Sequence, residues 1–181
     1  MARIILITGG QRSGKSEEAE RRALALSPTP VYIATAHIWD DEFRRRVALH
    51  QQRRGPQWTN IEEERTLSSH HLEGRVVLVD CVTLWLTNLF FDIQDAEQAL
   101  ATAKADFDRL ADTPGATIIL VTNEIGLGGT SENALQRHFT DLQGWMNQHI
   151  ARRADEVVLM VSGIPLTIKP APTPNQSSSP Q

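Results

Sequence analysis

The residues best equipped for chemistry lie near the amino end. Gly9-Gly10-Gln11-Arg12-Ser13-Gly14-Lys15-Ser16 satisfies G-x-x-x-x-G-K-[ST]; an apolar run precedes it, and Glu17, Glu18, Ala19 and Glu20, all compatible with a helix, follow. Glycines at these places allow a loop whose backbone N–H groups turn inward on a phosphate. The helix N-terminus adds positive potential, Lys15 reaches the β and γ oxygens, and Ser16 offers its hydroxyl to Mg²⁺. A glycine-rich turn before an ordinary helix is the plain alternative, but it gives no reason for the strand, lysine, serine and helix to coincide. A second apolar run, Val76-Val77-Leu78-Val79-Asp80, ends in a carboxylate, the form in which P-loop folds hold the Mg²⁺ shell. Asp80 also suits the start of a helix, whatever the metal. A third run ends in Thr122-Asn123-Glu124, where Glu124 either orients a water or a hydroxyl, or satisfies loop backbone. Gly126, Gly128 and Gly129 then make a flexible loop.

A histidine framed by arginines is the other candidate. Asp40 to Arg54 is predicted to form a helix with Asp40 as N-cap, acid at its start and base toward its end. Arg46 stands four residues before His50, and Arg53 and Arg54 stand three and four after it, so all three flank the imidazole. Cationic neighbours favour the neutral, nucleophilic ring, and the same guanidiniums suit a polyphosphate. However, Phe43, Val47 and His50 share a stripe, and a histidine there can simply edge the core. Five arginines between residues 44 and 54 also fit a solvated face. On pattern alone both readings of His50 stand.

These groups need a scaffold, and apolar runs at Arg3 to Thr8, Val31 to Ala34, Val76 to Asp80, Thr117 to Thr122 and Glu156 to Ser162 predict buried strands. Ala96, Leu100, Ala103, Phe107 and Leu110 repeat at helical spacing, as do Leu135, Phe139, Leu142, Met146 and Ile150. Strands apolar on both faces that alternate with long helices imply an α/β fold: a mostly parallel sheet with helices on both faces. Val157 to Val161, a tight turn, and Leu166 to Lys169 predict a short antiparallel C-terminal edge strand. One catalytic domain over residues 1–169 is expected. Pro170 to Gln181, with four of the nine prolines and three consecutive serines, is expected to be a disordered tail. The 181 residues carry a net charge of -4, which argues against sequence-independent nucleic-acid binding. Cys81 is the only cysteine, so no internal disulfide forms, in keeping with a reducing compartment; no signal peptide or membrane span is apparent, and the cytoplasm is expected.

Several blocks together carry a specific resemblance. They are the Gly9 to Ser16 loop, Tyr32-Ile33-Ala34-Thr35-Ala36, Asp40-Asp41-Glu42, Arg46-Val47-x-x-His50, Arg54, Trp58, Val79-Asp80-Cys81-Val82-Thr83-Leu84-Trp85, Val121-Thr122-Asn123-Glu124 and Val161-Ser162-Gly163. In order and spacing, from about residue 3 to 169, the chain resembles the bifunctional adenosylcobinamide kinase/adenosylcobinamide-phosphate guanylyltransferase family. The resemblance implies a RecA-like P-loop fold, a homotrimer, and two reactions of cobalamin assembly. Adenosylcobinamide is phosphorylated with ATP or GTP, and GMP then passes from GTP to that phosphate through a phosphoramidate on His50, releasing pyrophosphate. It further implies nucleotide contacts from Gly9, Gly10, Gln11, Arg12, Ser13, Gly14, Lys15 and Ser16, from Ala34, Thr35 and Ala36, and from Gln51, Gln52, Arg53 and Arg54, with Glu62 and Asp80 as further nucleotide or metal contacts. Lys15 and His50 would be catalytic, and Ser16 and Asp80 would hold Mg²⁺. Arg46, Arg53 and Arg54 are the expected pyrophosphate clamp. The chain departs from some relatives in having Gly129-Thr130-Ser131 before Glu132-Asn133, and Leu49 where a second histidine adjoins the first.

The remaining candidates are weaker. His70-His71 has no complementary ligand at metal spacing, His138 lies on or beside an apolar stripe, Trp145 is expected to pack, and nothing visible activates Cys81. Two rival functions use the same loop: a small-molecule P-loop kinase in which His50 is inert, and a RecA-like nucleotide-binding regulatory subunit in which Arg44 to Arg54 docks a partner.

Overall fold

In β1 (Arg3–Gly9) six consecutive residues are buried, because the strand is covered on both faces and its side chains alternate between two cores. Ile4 and Leu6 join Phe107, Leu142 and Met146 on one side, whereas Ile5 and Ile7 join Ala19 and Ala23 on the other. The computed structural model describes residues 1–37 and 55–171, so the helix expected over Asp40 to Arg54 and nearly all of the expected tail lie outside the described residues.

Seven strands form one sheet: β1, β2 (Val31–Ala34), β3 (Thr59–Glu62), β4 (Val76–Asp80), β5 (Thr117–Val121), β6 (Glu156–Val161) and β7 (Ile164–Lys169). They are ordered β3-β2-β4-β5-β1-β6-β7, parallel throughout except for the final antiparallel pair. Helix α1 (Lys15–Leu26) packs on one face. The other face carries α2 (Val82–Ile93), α3 (Ala96–Ala111) and α4 (Ala134–Arg153). Capping follows the sequence, since Asp95 accepts a hydrogen bond from the Gln98 N–H and Asn133 from the Gln136 N–H. At the end of the sheet, Ser162 and Gly163 both take positive φ, 50° and 83°, and make the two-residue turn that joins β6 to β7.

The expected RecA-like, mostly parallel α/β architecture with its antiparallel edge is therefore present, and the structure adds, among other elements, a strand and a helix. Strand β3 has no apolar run to announce it, because as an edge strand it leaves Thr59, Asn60 and Glu62 exposed. Helix α2 buries Val82, Trp85, Leu86, Asn88, Leu89 and Phe90 around much of its circumference, which erases the one-sided period that marks an amphipathic helix. Some expectations need correction. Leu142, Met146 and Ile150 are buried as their stripe predicts, but Leu135 is 51% exposed and Trp145 is 51% exposed, so neither packs into the core. His138 is likewise exposed. Among the described residues no helix is long and apolar enough to cross a membrane.

Candidate functional site

Strand register brings the candidate residues to one edge. Ala34 pairs with both Glu62 and Asp80, Asp80 pairs with Val121, and Val121 pairs with Ile7, two residues short of Gly9. The glycine loop, Asp80, Glu62 and the Thr122 to Glu124 segment thus share the carboxyl edge of the sheet, where open α/β folds take their ligands.

The loop leaves β1 at Gly9, whose φ is 150° and where a Cβ would meet the Met160 carbonyl oxygen at 2.6 Å and Ser13 Oγ at 2.8 Å. Gly14, the residue before α1, takes φ 93°, and a Cβ there would lie 3.3 Å from Gly163 Cα. Only glycine fits both places without strain. The Gly163 N–H donates to the Ser13 carbonyl at 3.0 Å, so the β6–β7 turn buttresses the loop. Ser13 Oγ is buried and makes no hydrogen bond among the described residues. Gly10, Gln11 and Arg12 are exposed along the rim, and Ser16 is partly buried at the first turn of α1.

Lys15 is buried, and its Nζ donates to the Gly10 carbonyl at 2.6 Å. Burial lowers the pKa of the ammonium; the negative charges that Cys81 and Asp80 can carry oppose that shift. Burial, followed by the Asp80 charge, pushes the Cys81 thiol up to about 12, so the thiol stays neutral at pH 7. The same burial keeps Cys81 from acting as a nucleophile. Tyr32 Oη donates to Asp80 Oδ2 at 2.8 Å, and the Tyr32 ring stands edge-on to Trp58, with centroids 5.8 Å apart. This contact accounts for a tyrosine and a tryptophan in the sequence blocks. The peptide between Asp80 and Cys81 is cis. Thr35 is fully buried; its hydroxyl donates to the Cys81 carbonyl and accepts from the Cys81 N–H, both at 2.8 Å. That side chain is therefore committed to locking β2 against the end of β4, while Ala34 and Ala36 are partly exposed beside it.

Glu124, singled out in the sequence, sits in a polar cluster whose partners Thr8, Gln143 and Asn147 were not. Thr8 Oγ1 donates to Glu124 Oε1 at 2.7 Å, and Asn147 Nδ2 donates to the same oxygen at 3.2 Å. Asn147 Oδ1 in turn accepts from Thr122 Oγ1 at 2.7 Å and from Gln143 Nε2 at 2.9 Å. The available signal was Gln143 and Asn147, two amides four residues apart on α4 and interleaved with Leu142, Met146 and Ile150. Elsewhere, His70 Nε2 lies 3.2 Å from Glu63 Oε2, a local ion-pair geometry well suited to a surface segment. Among the described residues no group of three or more His, Cys, Asp or Glu could hold a metal ion. His50, Gln51, Gln52, Arg53, Arg54 and Arg46 lie outside the described residues.

A glycine loop between a buried strand and a helix, with a buried lysine at its base and a carboxylate two strands away, defines a P-loop nucleotide-binding protein of RecA-like fold. A Pyrococcus horikoshii protein solved as a structural study shares this fold at 8% identity and a TM-score of 0.51, over 93% of this chain and 86% of that one. The P4 protein of bacteriophage phi6, solved with ADP, aligns at 13% identity and a TM-score of 0.49, over 91% of this chain, which spans 52% of that protein. Sequence similarity is narrower. Residues 5–168 match the family described as cobinamide kinase / cobinamide phosphate guanyltransferase. The bifunctional adenosylcobalamin biosynthesis protein CobP of Pseudomonas aeruginosa is 43% identical over 171 residues, covering 92% of this chain and 98% of that protein. The corresponding protein CobU of Escherichia coli is 40% identical over 181 residues, covering 92% of this chain and 99% of its own length. The chain belongs to the cobinamide kinase / cobinamide phosphate guanyltransferase family.

Proposed function

We propose that the chain phosphorylates adenosylcobinamide with ATP or GTP and then transfers GMP from GTP to the resulting phosphate, giving adenosylcobinamide-GDP and pyrophosphate. The guanylyl group passes through a covalent bond to His50. The observation that carries this reading is family membership across residues 5–168, joined to a loop whose lysine is buried beside a carboxylate. The loop N–H groups and Lys15 bind nucleotide phosphates and stabilise charge on the transferring phosphoryl group. Ser16 and Asp80 would hold Mg²⁺. Their hydroxyl and carboxylate oxygens are the hard donors this ion takes, with water and phosphate completing its shell, and Tyr32 uses only one of the two Asp80 oxygens. Bound there, the ion would neutralise charge between the β and γ phosphates. In the second reaction the imidazole of His50 attacks the α-phosphorus, and Arg46, Arg53 and Arg54 take up the leaving pyrophosphate. Gln11, Arg12, Ala34, Ala36, Gln51, Gln52 and Glu62 complete the nucleotide contacts on the basis of the resemblance. The working unit is a single-domain homotrimer in the cytoplasm.

The test uses Mg²⁺ and GTP labelled at either the α or the γ phosphorus, followed by denaturation and a check of acid lability. Acid-labile, base-stable label from the α position alone, lost in His50→Ala, is the expected result. No label from either position, in protein that binds GTP, would overturn the guanylyl-histidine step and favour a P-loop kinase in which His50 is inert.

A further inference from the structure

Glu124 stands beside the glycine loop with one carboxylate oxygen committed to neighbours and the other open. It follows β5, the strand that lies between β1, which opens into the glycine loop, and β4, which ends in Asp80. Its backbone N–H donates to the Gly9 carbonyl at 3.2 Å, tying it to the first residue of the loop. It precedes the short 3₁₀ turn Ile125–Gly128, yet its side chain does not cap that turn. Instead Oε1 is fixed by Thr8 Oγ1 and Asn147 Nδ2, and Asn147 is held by Thr122 and Gln143. Thr122, Gln143 and Asn147 are all buried, so three polar side chains are desolvated to position one carboxylate. Among the described residues Oε2 accepts no hydrogen bond and no cation pairs with Glu124, which remains partly exposed at the sheet edge. Asp80 differs: one of its oxygens is taken by Tyr32, and it already faces the Lys15 charge.

We propose that Glu124 takes the proton of the substrate hydroxyl in the phosphoryl-transfer reaction, with Thr8 and Asn147 as its positioning residues. The proposal rests on the kinase reading above. In the step, the hydroxyl oxygen of the corrinoid alcohol bonds to the γ-phosphorus while the bond from that phosphorus to the bridging oxygen breaks. The electron pair leaves with the nucleoside diphosphate. The hydroxyl proton passes to Glu124 Oε2 and from there to water, restoring the carboxylate. A carboxylate whose donors are neutral, and whose second oxygen is open, can accept this proton without giving up an ion pair. In protein kinases an aspartate does the same work on the substrate hydroxyl.

The experiment compares wild type with Glu124→Gln, whose amide oxygen still accepts from Thr8 and Asn147 but which cannot take a proton. Transfer of γ-label from the nucleotide to adenosylcobinamide is measured beside nucleotide Kd. The expected result is a fall in kcat of about 10²- to 10⁴-fold, with nucleotide Kd within about threefold of wild type. An equal kcat in the two proteins would overturn the proposal. So would a loss of nucleotide affinity as large as the loss of kcat, the mark of a purely structural role, if Glu124→Ala supplied with formate also fails to recover transfer. Recovery by formate in Glu124→Ala would support it. Failure of wild type itself to phosphorylate adenosylcobinamide would overturn the kinase reading and this proposal with it.

Discussion

Replacing Gly9 with alanine tests the claim that the loop is shaped by what lies behind it. The new Cβ would sit 2.6 Å from the Met160 carbonyl oxygen and 2.8 Å from Ser13 Oγ, whereas ordinary contacts begin at 3.4 Å. Relief therefore requires a displacement of roughly 0.8 Å against a steep repulsive wall. Met160 cannot yield freely, because Gly9 and Met160 are register partners at the end of the β1–β6 ladder. Overpacking of this kind costs about 1–3 kcal/mol, and with backbone on one side of the clash we expect the upper half of that range. For a chain of this size 1 kcal/mol shifts Tm by about 2–4 °C, so Gly9→Ala should melt about 5–10 °C below wild type. Displacing Ser13 should also weaken nucleotide binding. Gly10→Ala is the control: it lies in the same loop, yet a Cβ there meets nothing within 4 Å. Its stability should lie within about 0.5 kcal/mol of wild type. Differential scanning fluorimetry of the nucleotide-free proteins reads both values. A Gly9→Ala Tm equal to wild type, or a Gly10→Ala protein as damaged as Gly9→Ala, would refute the reasoning.

Lys15→Met should melt above wild type in the absence of nucleotide, because it removes a charge whose burial lowers its pKa in the folded state. Lysine with a lowered folded pKa destabilises the protein below that pKa, and the penalty fades as pH rises toward 10.5, so the Tm gap between the variant and wild type should close in alkaline buffer. The same variant should bind nucleotide about 10- to 100-fold more weakly, the loss of about 1.5–3 kcal/mol of charge-assisted hydrogen bonding, as read by calorimetry; a lower nucleotide-free Tm would show that Lys15 is net stabilising. Cys81, with its thiol pushed up to about 12, should stay unreactive toward a disulfide reagent at pH 8 until the protein unfolds. Labelling within seconds in native protein would contradict its burial.

Much of this was legible in the sequence because it follows from local pattern. Burial on both faces makes a strand read as an apolar run, and β1, β2, β4, β5 and β6 announced themselves in that way. The loop did so through glycine, lysine and serine at fixed spacing. Strand β3 did not, since an edge strand that leaves Thr59, Asn60 and Glu62 in water has no apolar signature. Leu135 and Trp145 were misjudged for a related reason: periodicity shows which side of α4 is apolar, but not how far along its length the core extends. Glu124 was visible in the sequence, but its partners were not: Thr8 reaches it across the β1–β5 pairing, 116 residues away, and Asn147 reaches it only through the packing of α4 on the sheet.

The loop, too, is less local than its motif. Its sequence is a run of eight residues, but its shape depends on the far end of the chain. Met160 presses on Gly9, Gly163 lies against Gly14, and the Gly163 N–H holds the Ser13 carbonyl. The turn that supplies Gly163 needs positive φ at two successive residues, and it is kept in place by the pairing of β7 with β6. Strand β7 is anchored at its last residue, where Lys169 Nζ donates to the Ala154 carbonyl just beyond α4. The glycine loop that follows the first strand is thus braced by the last hairpin. This is a physical reason for Val161-Ser162-Gly163 to accompany the glycine loop among the sequence blocks: the turn shapes the loop through its backbone.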